Sequence, residues 1–256
     1  MPDPTDHNPT GRFSNRADDY AKYRPTYPSE AIDALLHGLG APAALFAVDV
    51  GAGTGIASRL LAARGVRVLA VEPNRAMREA AEADPRVTFV EGTAESFPIA
   101  DGSADLVLAA QAFHWFRAEP SVREMGRALR AGGRLALMWN RRSTADALTA
   151  GYRDALLVVG ANPTLEAMDS DVEAVERSGL FGPTRVERFL HAHRLDREAL
   201  IGRALSASYV PKDGPALTEL VAKLDALYAR HADASGHVAM VYETEVRLSE
   251  RLTPAA

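Results

Sequence analysis

A strand that runs into a glycine turn constrains everything else in this chain. Leu45-Phe46-Ala47-Val48-Asp49-Val50 is an apolar run with the length and branching of a strand buried on both faces. It breaks into Gly51-Ala52-Gly53-Thr54-Gly55, with glycine at alternate positions, and Ile56-Ala57-Ser58-Arg59-Leu60-Leu61-Ala62-Ala63 follows with helical apolar spacing. Glycine reaches positive φ without a Cβ penalty and lets the backbone approach a ligand closely. The first N–H groups of the helix stay free to donate. Strand, glycine turn and helix together predict an α/β chain that holds a nucleotide-like molecule at this turn. The spacing is G-x-G-x-G rather than the G-x-G-x-x-G of a dinucleotide fingerprint, which argues against a nicotinamide oxidoreductase.

Strands and helices alternate on both sides of the turn. Residues 29–39 place Ile32, Leu35, Leu36 and Leu39 on one helical face, with Ser29 as N-cap and Gly40 as stop. Residues 66–71, 87–90, 104–110 and 135–140 read as the second to fifth strands, and residues 121–129 as the helix that feeds the fifth. Helices are expected over 145–159, 169–178, 195–206 and 215–231, and strands over 184–190 and 238–248.

Open α/β sheets bind ligands beyond the carboxyl ends of their strands. Glu72, with Pro73 after it, ends the second strand about 20 residues past the first glycine, where a carboxylate accepts both hydrogen bonds of a ribose diol. A helix N-terminal acid favoured by the dipole is the alternative. Met77 on the next helix offers an apolar wall for an adenine ring. Gln111-Ala112-Phe113-His114-Trp115-Phe116 leaves the central strand at the same edge. His114 there orients a substrate carboxylate, acts as a base, or is satisfied by backbone groups, and Trp115 offers an aromatic wall. Asn140 and Arg141 emerge from the fifth strand. Tyr152 and Met168, in the helical stretch after it, line a pocket or pack as core. His191 and His193 face one side of a strand, but no carboxylate cluster joins them, and no metal site is assigned.

The chain has 256 residues, enough for one large α/β domain with a small cap. Its net charge is −5 and no Lys/Arg block stands out, so the footprint of a phosphate backbone is missing. With no cysteine there is no disulfide, thiol catalysis or Cys-based zinc site. No apolar run approaches the roughly 20 residues that cross a bilayer. The first residues lack the basic and apolar regions of a signal peptide. These features lead to the expectation of a cytoplasmic protein acting on a small molecule, without nucleic-acid or membrane partners, its oligomeric state open. Residues 1–12, polar and proline-bearing, are expected to be disordered.

The D-x-G-x-G-x-G form of residues 49–55 resembles motif I of the class I S-adenosylmethionine-dependent methyltransferases. Three further stretches are similar to that family and occur in its order. Residues 20–28, Y-x-x-Y-R-P-x-Y-P, resemble the N-terminal lid of small-molecule members, including those related to trans-aconitate methyltransferase. Gly92-Thr93-Ala94-Glu95-Ser96-Phe97-Pro98 resembles the loop after the third strand, and Leu129-Arg130-Ala131-Gly132-Gly133-Arg134-Leu135 the turn into the fifth. The resemblance runs from about Phe13 to Trp139.

It implies a Rossmann-like seven-stranded sheet in the order 3-2-1-4-5-7-6 with the last strand antiparallel. Residues 13–142 and 184–256 would build the core with its N-terminal lid, and 143–183 a helical substrate cap. It implies S-adenosylmethionine as cofactor, held by Tyr20, Arg24, Asp49, Gly51, Ala52, Gly53, Gly55, Glu72, Pro73, Met77, Thr93, Ala94, Glu95, Gln111 and Ala112. Arg24 would reach the methionine carboxylate through its planar fork. Tyr27, Trp115, Asn140 and Tyr152 would meet the substrate, and His114 would be catalytic. The implied function is methyl transfer to an O or N nucleophile of a small molecule by in-line displacement. Arg24, Arg141 and His114 near the mouth would suit an acidic one. Two other readings stay open, namely intramolecular cyclisation of the aminobutyrate moiety with release of methylthioadenosine, and a non-catalytic S-adenosylmethionine-binding module.

Overall fold

The computed structural model describes residues 24–143, 145–160, 171–207 and 209–253. Tyr20, Met168 and residues 1–12 lie outside them. Seven strands form one sheet: β1 (Phe46–Val50), β2 (Arg67–Val71), β3 (Val87–Val90), β4 (Ala104–Ala110), β5 (Leu129–Arg142), β6 (Arg185–Leu195) and β7 (Val238–Glu250). Their order is β3-β2-β1-β4-β5-β7-β6. β1 to β5 pair in parallel, while β7 runs antiparallel to both β5 and β6. This is the order and the reversed strand that the resemblance implied. Among the described residues the helices are α1 (Ser29–Leu36), α2 (Ile56–Ala63), α3 (Arg75–Glu79), α4 (Ala118–Ala128), α5 (Ala147–Leu156), α6 (Glu173–Arg177), α7 (Arg197–Leu205) and α8 (Pro215–His231). None is long and apolar enough to cross a membrane.

The two-residue period of a strand sorts its side chains onto opposite faces. Val48, Val50, Val107, Ala109, Leu135 and Leu137 face one layer, with Val122 and Met125 of α4 and Val175 of α6. Ala47, Leu106, Leu108, Ala136 and Met138 face the other, with Ile32 and Leu35 of α1 and Leu61 of α2. Covering both faces is what a parallel sheet requires, and explains why β1 and β4 read as continuous apolar runs. A third cluster lies over the far end of the sheet, joining Tyr152 and Leu156 of α5, Leu200 and Ala204 of α7, Leu220 and Leu224 of α8, and Met240 and Tyr242 of β7.

Several boundaries differ from expectation. α1 stops at Leu36, three residues before the apolar spacing ends. Its N-cap is Pro28 rather than Ser29, whose hydroxyl bonds Glu30 instead. β5 begins at Leu129, well before Leu135, and passes through the Gly132-Gly133 pair with a register shift against β4. The step from Leu129 to Arg134 faces only Ala104 to Leu106, so residues 130–133 bulge out of the ladder with Gly132 at φ of 70°, and the Gly132–Gly133 pair exchanges backbone hydrogen bonds with Arg251. The strand expected over 184–190 continues to Leu195, carrying both histidines into the sheet.

Candidate functional site

A cavity of about 520 Å³ opens at the carboxyl ends of β1, β2 and β4, within the size range of small-molecule sites. The glycine turn forms its floor. Gly51, Gly53 and Gly55 have φ of 69°, 58° and 76°. The Gly51 and Ala52 N–H groups donate to the Val71 carbonyl at 2.9 and 3.1 Å, which ties the turn to β2. Glu72 closes the same side. Its two carboxylate oxygens accept from the backbone N–H groups of Gly53 and Asn74, each at 2.8 Å. Asn74 in turn caps α3 through the Met77 N–H, and that short helix presents Met77 to the cavity.

Thr93, Ala94 and Glu95 form the wall after β3, in a tight turn with reciprocal backbone bonds between Thr93 and Ser96. Glu95 is held by the Arg117 N–H at 3.0 Å. Gln111, Ala112 and Trp115 complete the mouth beyond β4, with Tyr27 from the N-terminal segment. Gln111 has φ of 55°, the one positive value at a non-glycine among the described residues. Such backbone strain persists where surroundings over-determine it, and it clusters at functional sites. Here Gln111 N donates to Met138 O at 2.8 Å and its side-chain amide to Asn140 O at 3.1 Å, locking β4 to β5 at the cavity edge.

Two buried polar atoms at this wall, Asp49 Oδ1 and Thr54 Oγ1, have no hydrogen-bond partner among the described residues. The other Asp49 oxygen accepts from Ser58 Oγ at 2.6 Å. Burial raises the Asp49 pKa to about 6, opposed by the Ser58 hydrogen bond and assisted by the Glu72 charge. Burial also raises the pKa of Glu72, against its backbone hydrogen bonds. An unspent acceptor, an unspent hydroxyl and a second carboxylate in one dry wall fit a polar ligand carrying donors.

Other expected residues stand elsewhere. Gly55 caps α2, and a Cβ there would come within 2.8 Å of the Phe89 ring, so it serves helix–sheet packing outside the cavity lining. Arg24 and His114 do not line the cavity. Arg24 lies near enough to His114 for its charge to be felt, and burial followed by that charge pushes the imidazole down to about 4. Asn140 is spent on structure: its Nδ2 donates to Thr26 O at 3.0 Å and its Oδ1 accepts from Thr244 Oγ1 at 2.6 Å. Tyr152 is fully buried in the third cluster, under the Arg142 guanidinium at 5.1 Å from its ring centre, and is no part of this cavity's wall. Arg141 reaches Glu245 at 4.0 Å. Tyr20 falls outside the described residues. No group of three or more His, Asp or Glu side chains suited to a metal occurs among them.

Residues 48–137 match the family model described as a methyltransferase domain. An uncharacterized methyltransferase of Mycobacterium tuberculosis is 45% identical over 132 residues, 51% of this chain and 52% of that protein. A solved structure assigned to a type II methyltransferase of Anaeromyxobacter dehalogenans superposes with a TM-score of 0.63 at 26% identity, covering 91% of this chain and all of that one. Over residues 48–137 this chain is similar to methyltransferase domains, and its fold is similar to that of a solved methyltransferase structure. The malonyl-[acyl-carrier protein] O-methyltransferase of Methylococcus capsulatus is also similar, 33% identical over 154 residues, 57% of this chain and 56% of that protein. The chain spans about half the length of the curated relatives it matches.

The cavity is also lined by residues that were not among the expected site residues. Thr54, Ile56, Ala57, Ala110, Phe116 and Arg117 line it. Thr54 sits between two motif glycines and Arg117 follows the aromatic run, so both were within reach of a reading that counted the residues between landmarks.

Asp49 gives a pH signature. Its folded pKa exceeds that of an exposed carboxylate, so between about pH 4 and 6 the folded protein binds the extra proton. The contribution to stability therefore falls as pH rises through that window and stays lost above it. Two pKa units at ~1.4 kcal/mol each amount to about 3 kcal/mol. Relative to Asp49→Asn, the wild-type thermal midpoint should drop between pH 4 and 6.5. Parallel pH curves for the two proteins would show that this carboxylate does not titrate there.

Proposed function

We propose that this chain transfers the methyl group of S-adenosylmethionine to an O or N nucleophile of a small molecule by in-line displacement. The observation that carries the reading is the cavity itself, where the glycine turn, Asp49, Glu72 and Met77 converge with Gln111 and Trp115 at the carboxyl ends of the strands. When bound there, the cofactor would supply an electrophilic methyl group on a sulfonium, whose C–S bond breaks to leave a neutral thioether. Glu72 would accept the ribose hydroxyls, Met77 would pack on the adenine, and Thr93, Ala94 and Glu95 would border its amino edge. The turn's backbone and the Asp49 side would take the methionine end. What remains for the protein is to hold the nucleophile in line and exclude water, and the aromatic mouth of Trp115, Phe116 and Tyr27 does the excluding.

His114 bears on the choice of nucleophile. An imidazole held near pKa 4 is neutral throughout the physiological range and a weak proton acceptor. This favours a nucleophile already deprotonated at pH 7, such as a carboxylate, over an alcohol or phenol. The name of the Methylococcus relative, an O-methyltransferase, supports oxygen. The rate should accordingly show no limb near pH 6.5. An inflection there that disappears in His114→Gln would instead make the ring a titrating base.

The decisive experiment is calorimetric titration with S-adenosylmethionine followed by mass analysis of the mixture, first without and then with candidate small acids, phenols and amines. Binding with S-adenosylhomocysteine formed only when an acceptor is added is the expected result. Methylthioadenosine released without an acceptor would transfer the assignment to the intramolecular reaction, and an absence of binding would remove the proposal.

A further inference from the structure

One buried cluster of donors lies outside the cavity, and the proposed reaction has not used it. Arg203 on α7 is 5% exposed, between Leu200 and Ala204, which are fully buried against the end of the sheet. Its guanidinium meets the Tyr242 hydroxyl, its Nε has no partner among the described residues, and none of their carboxylates pairs with it. Tyr152 Oη and His193 Nδ1, both close enough to feel the Arg203 charge, are likewise buried without a hydrogen bond among the described residues. Arg142 stands over the Tyr152 ring, bringing a second guanidinium to the same place.

Burying a guanidinium without a carboxylate costs several kcal/mol. A core built only for stability would place an apolar side chain at position 203. The polar atoms that converge here are donors or can become donors: the Arg203 N–H groups, a phenol, and an imidazole that burial and Arg203 hold neutral. Their shared complement is an acceptor-only group, a carboxylate or a phosphate.

The cluster stands in register with the cofactor cavity. Gln111 of the cavity wall donates to Asn140 O on β5, and Arg142 lies two residues further along that strand, about 7 Å at the usual rise. Arg142 pairs across the sheet with Tyr242 and Tyr242 with His191, two ladder rows beyond the Asn140–Thr244–Phe189 row. Asn140 and Arg142 share a face of β5, and α5 and α7 cover the end of that face.

We propose that Arg203, with the Tyr152 hydroxyl and the His193 ring, forms the anion-binding end of the acceptor site, and that the acceptor is a small molecule bearing a carboxylate or a phosphate. This rests on the methyltransferase reading above. Tyr152 thereby returns to substrate recognition at a site of its own, and Arg203 takes the place that Arg141 was expected to fill.

The test is calorimetric titration of the full chain, saturated with S-adenosylhomocysteine, with sodium succinate and with inorganic phosphate at matched ionic strength. The wild type should bind at least one of them. Succinate alone marks a carboxylic acid acceptor and phosphate alone a phosphoryl-bearing one. Arg203→Met should weaken that binding at least about tenfold, and Tyr152→Phe, which removes one hydroxyl and keeps the packing, about three- to tenfold. S-adenosylhomocysteine affinity should stay within about twofold in both, since neither side chain lines its cavity. If Arg203→Met fails to fold, Tyr152→Phe decides alone. Anion binding unchanged in the variants, or no binding of either anion by the wild type, overturns the inference while leaving methyl transfer standing. Failure of the wild type to bind S-adenosylhomocysteine overturns both.

Discussion

Gly51→Val is expected to abolish S-adenosylmethionine binding, lowering affinity at least about 100-fold, or ~2.7 kcal/mol. Gly51 has φ of 69°, in the left-handed region where an L-residue costs ~1–2 kcal/mol and a β-branched one more. A Cβ at this position would stand 2.7 Å from Ala112 Cβ and 3.0 Å from Phe116 Cζ. Neither neighbour can give way cheaply, because both belong to the segment that turns away from β4 at the cavity mouth. The turn itself must move, and its N–H groups are anchored on Val71 O. Gly102→Ala is the matched control. Its φ is 63°, but its nearest neighbour beyond the adjacent chain is Arg130 Cα at 3.9 Å, far from the cavity. It should cost stability while leaving affinity within about twofold. Calorimetry on both variants, with circular dichroism to show that they are folded, reads the difference. A folded Gly51→Val that binds normally would take the glycine turn out of the site.

The second large effect concerns stability rather than binding. Arg134 is 6% exposed and collects the end of α1: its Nη1 donates to Leu35 O at 2.9 Å and His37 O at 2.8 Å, and its Nε to Glu250 Oε1 at 2.8 Å. The final carbonyls of a helix have no intrahelical partner, and a cation at that end also meets the favourable pole of the dipole. One side chain thus joins α1, β5 and β7. Glu250 is half exposed, so the ion pair contributes little and the carbonyl bonds dominate. Arg134→Ala leaves these acceptors unmet in a buried place and should cost about 3 kcal/mol or more in denaturant unfolding. Arg134→Lys keeps the charge without the planar fork and should lose an intermediate amount. Cofactor affinity of folded Arg134→Ala should change little, because Arg134 lies at the opposite end of β5 from the cavity. A loss below about 1 kcal/mol would mean that water replaces the guanidinium at these carbonyls.

The sequence by itself determined the sheet and the place of the cavity. Strands and helices alternate from β1 to β3, a loop leads on to β4, and each landmark falls at the end of a strand: the glycine turn after β1, Glu72 after β2, Thr93 to Glu95 after β3 and Gln111 to Trp115 after β4. In a parallel sheet those ends share one edge, so chain order alone brings the residues together. Tertiary structure decided the partners of Arg134, about 100 residues away in α1, and the use of the Asn140 amide on Thr26, 114 residues away. It decided that His114 is no part of the cavity lining and sits in surroundings that strip its basicity. It also gathered Arg142, Tyr152, His193, Arg203 and Tyr242 from five elements into one buried place. The physical reason is the same in each case. Periodicity in a sequence says which face of a helix or strand is buried, whereas the partner that a buried polar group meets depends on how distant elements rotate and stack against that face.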